Sequence, residues 1–148
     1  MGFQITWDCV DPSRMTRFWS QALGYLVEDP PAGFETWNDH WVSVGVPLDE
    51  LDPDGDGSDS LVDPKGAGPR IWFQVVPETK AVKNRLHLDI GASGGRTVGL
   101  AERRVRVHAR AEELIAAGAT RLRVLEQQGL DHYAEVLADP EGNEFCIN

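Results

Sequence analysis

Residues 3–10, FQITWDCV, alternate strictly between apolar and polar side chains. Residues 85–90, RLHLDI, show the same alternation in the second half of the chain. A period of two with one apolar side is typical of a β-strand that is buried on one face only. The two segments therefore predict two half-buried strands, and a segment with helical periodicity follows each of them.

The boundaries of both helices can be predicted from their capping residues. Asp11 is a good N-cap residue, and Pro12 favours the first helical position. Gly24 favours the left-handed conformation that ends many helices. The sequence therefore predicts a first helix from Pro12 up to Gly24 and a second one over residues 100–117, which ends before Gly118.

Segments with strand-like composition follow each helix. They cover residues 25–28, 41–46 and 71–76 in the first half, and residues 120–125, 133–138 and 143–147 in the second. The order of one strand, one helix and three strands thus occurs twice. It predicts an α+β fold of two βαβββ modules, about 1–80 and about 83–148, within a single domain over residues 1–148.

Composition excludes some classes of partner. The chain has 148 residues, 41% of them hydrophobic, and a formal net charge of -10. Nucleic acids and anionic membranes attract basic surfaces, so neither is an expected partner. The N-terminus lacks the basic and apolar regions of a signal peptide, and no apolar run has membrane-spanning length. We therefore expect a cytoplasmic protein with reduced cysteines at positions 9 and 146.

Residues 47–69 are rich in Pro, Gly and Asp, and the sequence predicts a long acidic loop there. Asp52, Asp54, Asp56 and Asp63 have the spacing of ligands in a twelve-residue calcium loop. Two prolines interrupt this frame, and the last ligand position holds Asp instead of the longer Glu. A solvated loop is therefore the favoured interpretation, with calcium binding as the alternative.

The second predicted helix carries many charged side chains. Its arginines and glutamates are Arg103, Arg104, Arg106 and Arg110 with Glu102, Glu112 and Glu113. Opposite charges three or four residues apart form ion pairs on a helix surface. The pattern predicts a solvated outer face and not an anion-binding site.

Three stretches together carry a resemblance to a known family. They are DCVDPSRMTRFWSQALGY (8–25), KNRLHLDI (83–90), and GATRL (118–122) followed by VLADPEGNEFCI (136–147). These stretches resemble the glyoxalase-like branch of the vicinal-oxygen-chelate superfamily, which includes glyoxalase I, extradiol dioxygenases and bleomycin- or fosfomycin-resistance proteins. The resemblance implies a curled mixed sheet around a central cavity, helices on the outer faces, and a homodimer.

The resemblance also implies which side chains line that cavity. They are the polar residues of the two first strands: Gln4, Thr6, Asp8, Arg85, His87 and Asp89. Relatives that depend on a metal bind a divalent ion through His and Glu side chains of the first and last strands of each module. The residues at these positions here are Gln4 or Thr6, then Gln74, His87 and Cys146.

Of these residues, His87 is the standard ligand. The resemblance therefore implies a degenerate metal site and no bound cofactor. Glu144 lies two residues before Cys146 on the same side of the last strand, so His87 with Glu144 is the alternative pair of metal ligands.

The favoured hypothesis is a small-molecule binding protein that works without a metal. Trp72 and Gln74, with Trp37 and Trp41 as further candidates, would form a pocket for an apolar or aromatic ligand. His87 and Glu144 are the candidate catalytic residues, and Asp8 and Asp89 would orient the ligand beside them. The alternatives are a metal-dependent lyase or dioxygenase of the same superfamily, and a dimeric structural module without a ligand.

Overall fold

The structure is a computed structural model that describes residues 2–51 and 56–148. The chain divides into two units, of which the first ends at Glu78 and the second begins at Thr79. Each unit contains a four-stranded mixed sheet with a helix against one face. The predicted α+β fold of two modules is therefore confirmed.

The first unit contains four strands and two α-helices within the described residues. They are β1 (Gln4–Cys9), α1 (Pro12–Leu23), β2 (Leu26–Val27), α2 (Trp37–Ser43), β3 (Ser60–Val62) and β4 (Arg70–Val75), with a short 3-10 turn at Leu48–Glu50. The strand order is β1-β4-β3-β2, with β1 parallel to β4 and the other pairs antiparallel. The first and last strands of the unit are thus neighbours.

Helix α1 begins and ends where its capping residues predict. The Asp11 side chain accepts a hydrogen bond from the backbone N–H of Arg14 at 2.8 Å, and Gly24 has φ 68°. One side of α1 is buried, and its largest side chain, Trp19, lies 4.5 Å from Trp7 of β1 between ring centroids. The apolar side of β1 therefore packs on the helix, as its alternation predicts.

Two predictions for the first unit are wrong. Residues 41–46 do not form a strand, because α2 covers residues 41–43 and a turn follows at residues 44–45. Thr36 and Asp39 form a capping box, in which each side chain accepts from the other residue's backbone N–H, at 3.0 and 3.1 Å, and this starts the helix. The predicted acidic loop, in turn, contains β3, whose Leu61 is fully buried beside β4.

The second unit has the same arrangement of strands. Its elements are β5 (Asp89–Ile90), α3 (Leu100–Ala116), β6 (Thr120–Glu126), β7 (Tyr133–Ala138) and β8 (Glu144–Ile147), in the sheet order β5-β8-β7-β6. Strand β5 runs parallel to β8, as β1 does to β4. Helix α3 ends one residue earlier than predicted. No helix among the described residues is both long and apolar enough to cross a membrane.

The predicted strand over residues 85–90 is shorter in the structure. Only Asp89 and Ile90 are extended, and Leu86 is 71% exposed. The reason is that β8 begins at Glu144, whose backbone N–H and C=O bond with the side-chain amide of Asn84 at 3.3 and 3.2 Å. A side chain thus takes the place that a longer β5 would occupy.

A buried carboxylate connects α3 to the sheet of the second unit. Glu135 of β7 is fully buried, and its oxygens accept from Arg121 Nε at 2.7 Å and from the Tyr133 hydroxyl at 2.8 Å. Nδ1 of His108 on α3 lies 3.0 Å from the same carboxylate. Burial raises the pKa of Glu135, but the hydrogen bonds from His108, Tyr133 and Arg121 lower it by more. Burial and the Glu135 contact raise the pKa of Tyr133 to about 12.

The charged face of α3 is only partly solvated. Arg106 pairs with Glu102 and Arg110 with Glu113 on the exposed side, as the spacing predicts. Arg103, however, is 7% exposed. Its Nε donates to the carbonyl oxygen of Val98 at 2.9 Å, and its guanidinium pairs with Asp131. The prediction of a wholly solvated face is therefore wrong at Arg103.

Replacing Glu135 by Gln will destabilise the chain at neutral pH, because the substitution removes the charged acceptor of three bonds. We expect a loss of about 1.5–3 kcal/mol in urea unfolding at pH 7. The stabilisation by Glu135 is present above its ordinary pKa of 4.5 and is lost as the pH falls through its lowered folded-state pKa. The variant's stability should therefore depend less on pH in acid.

Glu113→Gln is the matched control, since its side chain is 59% exposed and its partner lies on the same helix. We expect it to change stability by about 0.5 kcal/mol or less. Equal losses in the two variants would contradict the role assigned to Glu135.

Candidate functional site

One face of the first unit's sheet carries the polar side chains that alternation predicts. Arg70 is opposite Gln4 in the β1–β4 pair, and its guanidinium donates to Gln4 Oε1 at 2.6 Å. It also donates to Glu28 at 2.6 and 2.8 Å and to Ser60 Oγ at 2.7 Å. Gln4 is therefore a partner of an ordered arginine, and its carbonyl oxygen is already used.

The register of β1 and β4 decides which candidates in this unit are neighbours. Gln74 is opposite Asp8, while Gln4 is four positions away along the strand, opposite Arg70. Four residues of extended chain span about 13 Å. Gln4 and Gln74 therefore do not converge on one ion, and Asp8 is the predicted cavity residue beside Gln74. Along β1, Thr6 lies between Gln4 and Asp8, and it is opposite Trp72 of β4.

A pocket of about 770 Å³ opens beside Trp72 and Gln74 in the first unit. Trp41 of α2 and Asp59, which precedes β3, also line it. Arg17 of α1 adds a positive charge to its rim. The pocket is therefore walled by indole rings and carries a few polar groups, as organic ligand sites commonly do.

Hydrogen bonds and stacking hold both indole walls in place. Trp72 Nε1 donates to Asp59 Oδ2 at 2.7 Å, and the other oxygen of Asp59 accepts from Ser60 at 2.6 Å. Trp41 stacks on Trp37 at 5.5 Å between ring centroids, and Trp37 Nε1 donates to the carbonyl oxygen of Glu28 at 2.7 Å. The pocket is thus formed before any ligand arrives.

A second group of predicted residues converges in the second unit. Asp89 and Cys146 are direct partners in the β5–β8 pair, and His87 Nδ1 lies 3.1 Å from Asp89 Oδ1. One ligand-type atom from each of the three residues lies within 4.8 Å of the other two. The structure thus brings His87, Asp89 and Cys146 together as one cluster.

The first unit has a counterpart of this cluster. Cys146 is opposite Asp89 in the second unit as Gln74 is opposite Asp8 in the first, and both pairs are parallel. His87 lies two residues before Asp89, and Thr6 lies two residues before Asp8. The register therefore assigns Thr6, and not Gln4, as the counterpart of His87, and its hydroxyl is a poor metal ligand.

The surroundings of the Cys146 thiol change its pKa. Burial and the neighbouring carboxylate of Asp89 raise the pKa of Cys146, so the thiol is protonated in the absence of an ion. This argues against a reactive thiolate, which needs a lowered pKa. The donor set of imidazole, carboxylate and sulfur nevertheless fits zinc-type ions better than the hard ions that oxygen ligands select.

Glu144 forms its ion pair with a residue outside this cluster. Its carboxylate pairs with Lys83, and its side chain is 15% exposed. The bond from Lys83 lowers the pKa of Glu144, so the group is ionised and its charge is balanced. Its roles as a catalytic residue or metal ligand stay predictions, and each requires Lys83 to move away.

The calcium interpretation stays a prediction. Asp52 and Asp54 lie outside the described residues. Asp63 accepts three hydrogen bonds, from the backbone N–H groups of Lys65, Ala67 and Gly68 at 2.7–2.9 Å, and these bonds lower its pKa. Its carboxylate therefore stabilises its own turn.

The sequence did not predict a site role for Arg70, Asp59 or Lys83. The alternation of β4 places Arg70 on the same side as Trp72, so its position was predictable although its partners were not. Asp59 accepts a hydrogen bond from Trp72, which is 13 positions away in the sequence. Lys83 donates to Glu144, which is 61 positions away. Local patterns carry no signal for contacts of this kind.

Asp59→Ala will release the Trp72 ring. The indole N–H loses its acceptor, so we expect faster hydrogen exchange and a shifted 1H–15N indole signal for Trp72. Urea unfolding should show a loss of about 1–3 kcal/mol. Asp59→Asn retains an acceptor oxygen and should keep most of both properties, and Glu50→Ala, an exposed acid at the pocket, should keep all of them. An unchanged Trp72 signal in Asp59→Ala would contradict the assigned hydrogen bond.

Comparison with protein families gives one match that spans nearly all of the chain. Residues 4–148 match the family described as "Glyoxalase-like domain". No curated protein sequence is significantly similar to the chain.

Several solved structures are similar to this chain over almost its full length. One is a glyoxalase/bleomycin resistance protein/dioxygenase family enzyme from Burkholderia phytofirmans, with 22% identity, 98% of this chain and 94% of that chain covered, and a TM-score of 0.56. A glyoxalase-related enzyme from Fulvimarina pelagi has 15% identity, coverage of 99% and 86%, and a TM-score of 0.57. The fosfomycin resistance protein FosX from Listeria monocytogenes has 14% identity, coverage of 99% and 87%, and a TM-score of 0.55. At these identities the similarities show the fold alone.

Proposed function

Because the chain belongs to the glyoxalase-like domain family of the vicinal-oxygen-chelate superfamily, we propose that it binds a small organic molecule with an apolar, aromatic part. The proposed site is the pocket of the first unit that Trp41 and Trp72 line. The observation that carries the proposal is the pair of fixed indole walls around a volume of about 770 Å³.

Pocket size and rigidity support binding of a small molecule. Ligand pockets commonly enclose about 300–1,000 Å³. Flat indole faces bind aromatic rings through stacking and edge contacts. Because hydrogen bonds and stacking already order both rings, a ligand loses little free energy to immobilising them. The pocket thus favours sequestration of a ligand over the alternative of a purely structural module.

Polar groups at the pocket would orient the ligand. The side-chain amide of Gln74 can donate and accept hydrogen bonds at the end of β4, and Asp8 lies beside it. Such groups bind an organic ligand by hydrogen bonding and not through a metal, so we propose that binding is independent of a metal ion. Catalysis by His87 and Glu144, and a metal-dependent lyase or dioxygenase activity, stay alternatives.

Titration with 1-naphthol, a bicyclic aromatic probe, tests this site by NMR. The indole N–H signals of Trp41 and Trp72, assigned with Trp→Phe variants, should shift along one common binding curve. Trp41→Ala should weaken binding about tenfold, which corresponds to the loss of one aromatic contact. Phe3→Ala, at a 73% exposed aromatic residue that does not line the pocket, should leave binding unchanged.

Three results would contradict this proposal or favour its alternative. Cyclohexanol, which has no aromatic ring, should bind more weakly than 1-naphthol, and equal binding would contradict the aromatic preference. Absence of a shift at both indoles would remove the proposed site. A chelator such as EDTA should not change the affinity, and loss of binding in EDTA would favour the metal-dependent alternative.

The comparisons suggest two further points that stay proposals. Two similar structures are described as fosfomycin resistance proteins, but at 12% and 14% identity they do not extend that ligand to this chain. Members of the superfamily commonly form dimers, and we expect a homodimer, which light scattering on the purified chain can test.

A further inference from the structure

The acidic and basic residues are divided unevenly between the two units. Residues 1–78 contain 14 Asp and Glu residues but four Lys and Arg residues, whereas residues 79–148 contain ten of each kind. The formal net charge of -10 therefore belongs to the first unit. Because that unit also contains the pocket walled by indole rings, its negative field attracts cations toward the pocket and repels anions from it.

The lining of the pocket has the same imbalance of charge. Among the described residues that line it, Asp11, Glu50 and Asp59 are acidic, and Arg17 alone is basic. Hydrogen bonds hold two of the three carboxylates in place, since Asp11 caps α1 and Asp59 accepts from Trp72. The pocket thus carries negative charge at fixed positions, and part of it lies directly beside an indole ring.

The indole walls favour a ligand of the same charge sign as the carboxylates do. Trp41 and Trp72 both line the pocket, and the face of an indole ring attracts cations more strongly than other aromatic side chains do. The attraction arises because the ring face carries the negative end of the ring's quadrupole. A cation in this pocket therefore gains from the ring faces and from the carboxylates together, whereas an anion is repelled by both.

On the basis of the proposed function of this pocket, we propose that its ligand is an organic cation, in which an aromatic or apolar part carries a protonated or quaternary ammonium group. The ammonium group lies against an indole wall and near the carboxylates. The volume of about 770 Å³ and the indole rings select an organic cation over a small inorganic one, since aromatic walls offer no ligand atoms to a metal ion.

Two charged side chains at the pocket allow the sign of this preference to be tested. Arg17 and Glu50 carry opposite charges, and both are exposed. Water screens the charges of exposed groups, so each should change the affinity for a charged ligand by about two- to threefold. Their effects should be opposite in direction and should vanish for a neutral ligand.

Three probes that share one bicyclic ring and differ in charge test the proposal. They are 1-naphthylmethylamine, which is protonated at pH 7, the neutral 1-naphthalenemethanol and the anionic 1-naphthoate. Their affinities are measured from the indole N–H signals of Trp41 and Trp72. We expect the cation to bind about tenfold more tightly than the neutral probe, and the anion to bind more weakly than either. Equal binding of the cation and the neutral probe, or tighter binding of the anion, would overturn the proposal.

Matched variants distinguish the pocket from the general field of the unit. Glu50→Gln should weaken binding of the cation about two- to threefold, and Arg17→Gln should strengthen it by a similar factor. Glu35→Gln removes the same charge from an exposed residue that does not line the pocket, and it should leave the affinity nearly unchanged. Circular dichroism of each variant verifies folding. Equal losses in Glu35→Gln and Glu50→Gln would contradict binding of the ammonium group in this pocket.

The probes also distinguish a failure of this inference from a failure of the proposed function. If all three probes bind with equal affinity, the aromatic pocket is retained and the preference for a cation is disproved. If none of them shifts the indole signals, the proposed function is wrong, and the inference that rests on it is wrong as well.

Discussion

Parallel pairing of the first and last strands of each unit is the constraint on which both candidate sites depend. In the first unit the pairing places Asp8 beside Gln74, and in the second it places Asp89 beside Cys146. Side chains that face each other across parallel strands are close because adjacent strands lie about 4.8 Å apart. Residues more than 50 positions apart in sequence thus become neighbours through backbone hydrogen bonds alone.

The same backbone pattern produces different chemistry in the two units. The first has a hydroxyl, a carboxylate and an amide at its three equivalent positions, and next to them a pocket walled by indole rings. The second has an imidazole, a carboxylate and a thiol. We therefore interpret the chain as a repeated scaffold whose two units carry different side-chain chemistry, and it is the side chains and not the fold that determine function.

Two carboxylates, one in each unit, are held by hydrogen bonds from several partners. Glu135 lies under α3 with bonds from Arg121, Tyr133 and His108, and Asp59 is held between Trp72 and Ser60. An unpaired buried carboxylate would cost several kcal/mol. These networks fix the position of α3 in the second unit and of the pocket wall in the first.

Local sequence determined the features that depend on nearby residues: the alternation of β1, the helix between Asp11 and Gly24, and the repeated order of elements. It failed at residues 41–46, where a capping box outweighed strand-like composition, and at residues 85–88, where the Asn84 side chain took the place of a strand. Register, and with it the choice of Thr6 over Gln4 as the counterpart of His87, was decided by tertiary structure alone. Hydrogen bonds between distant strands set the register, and a single segment contains no information about its partner's position.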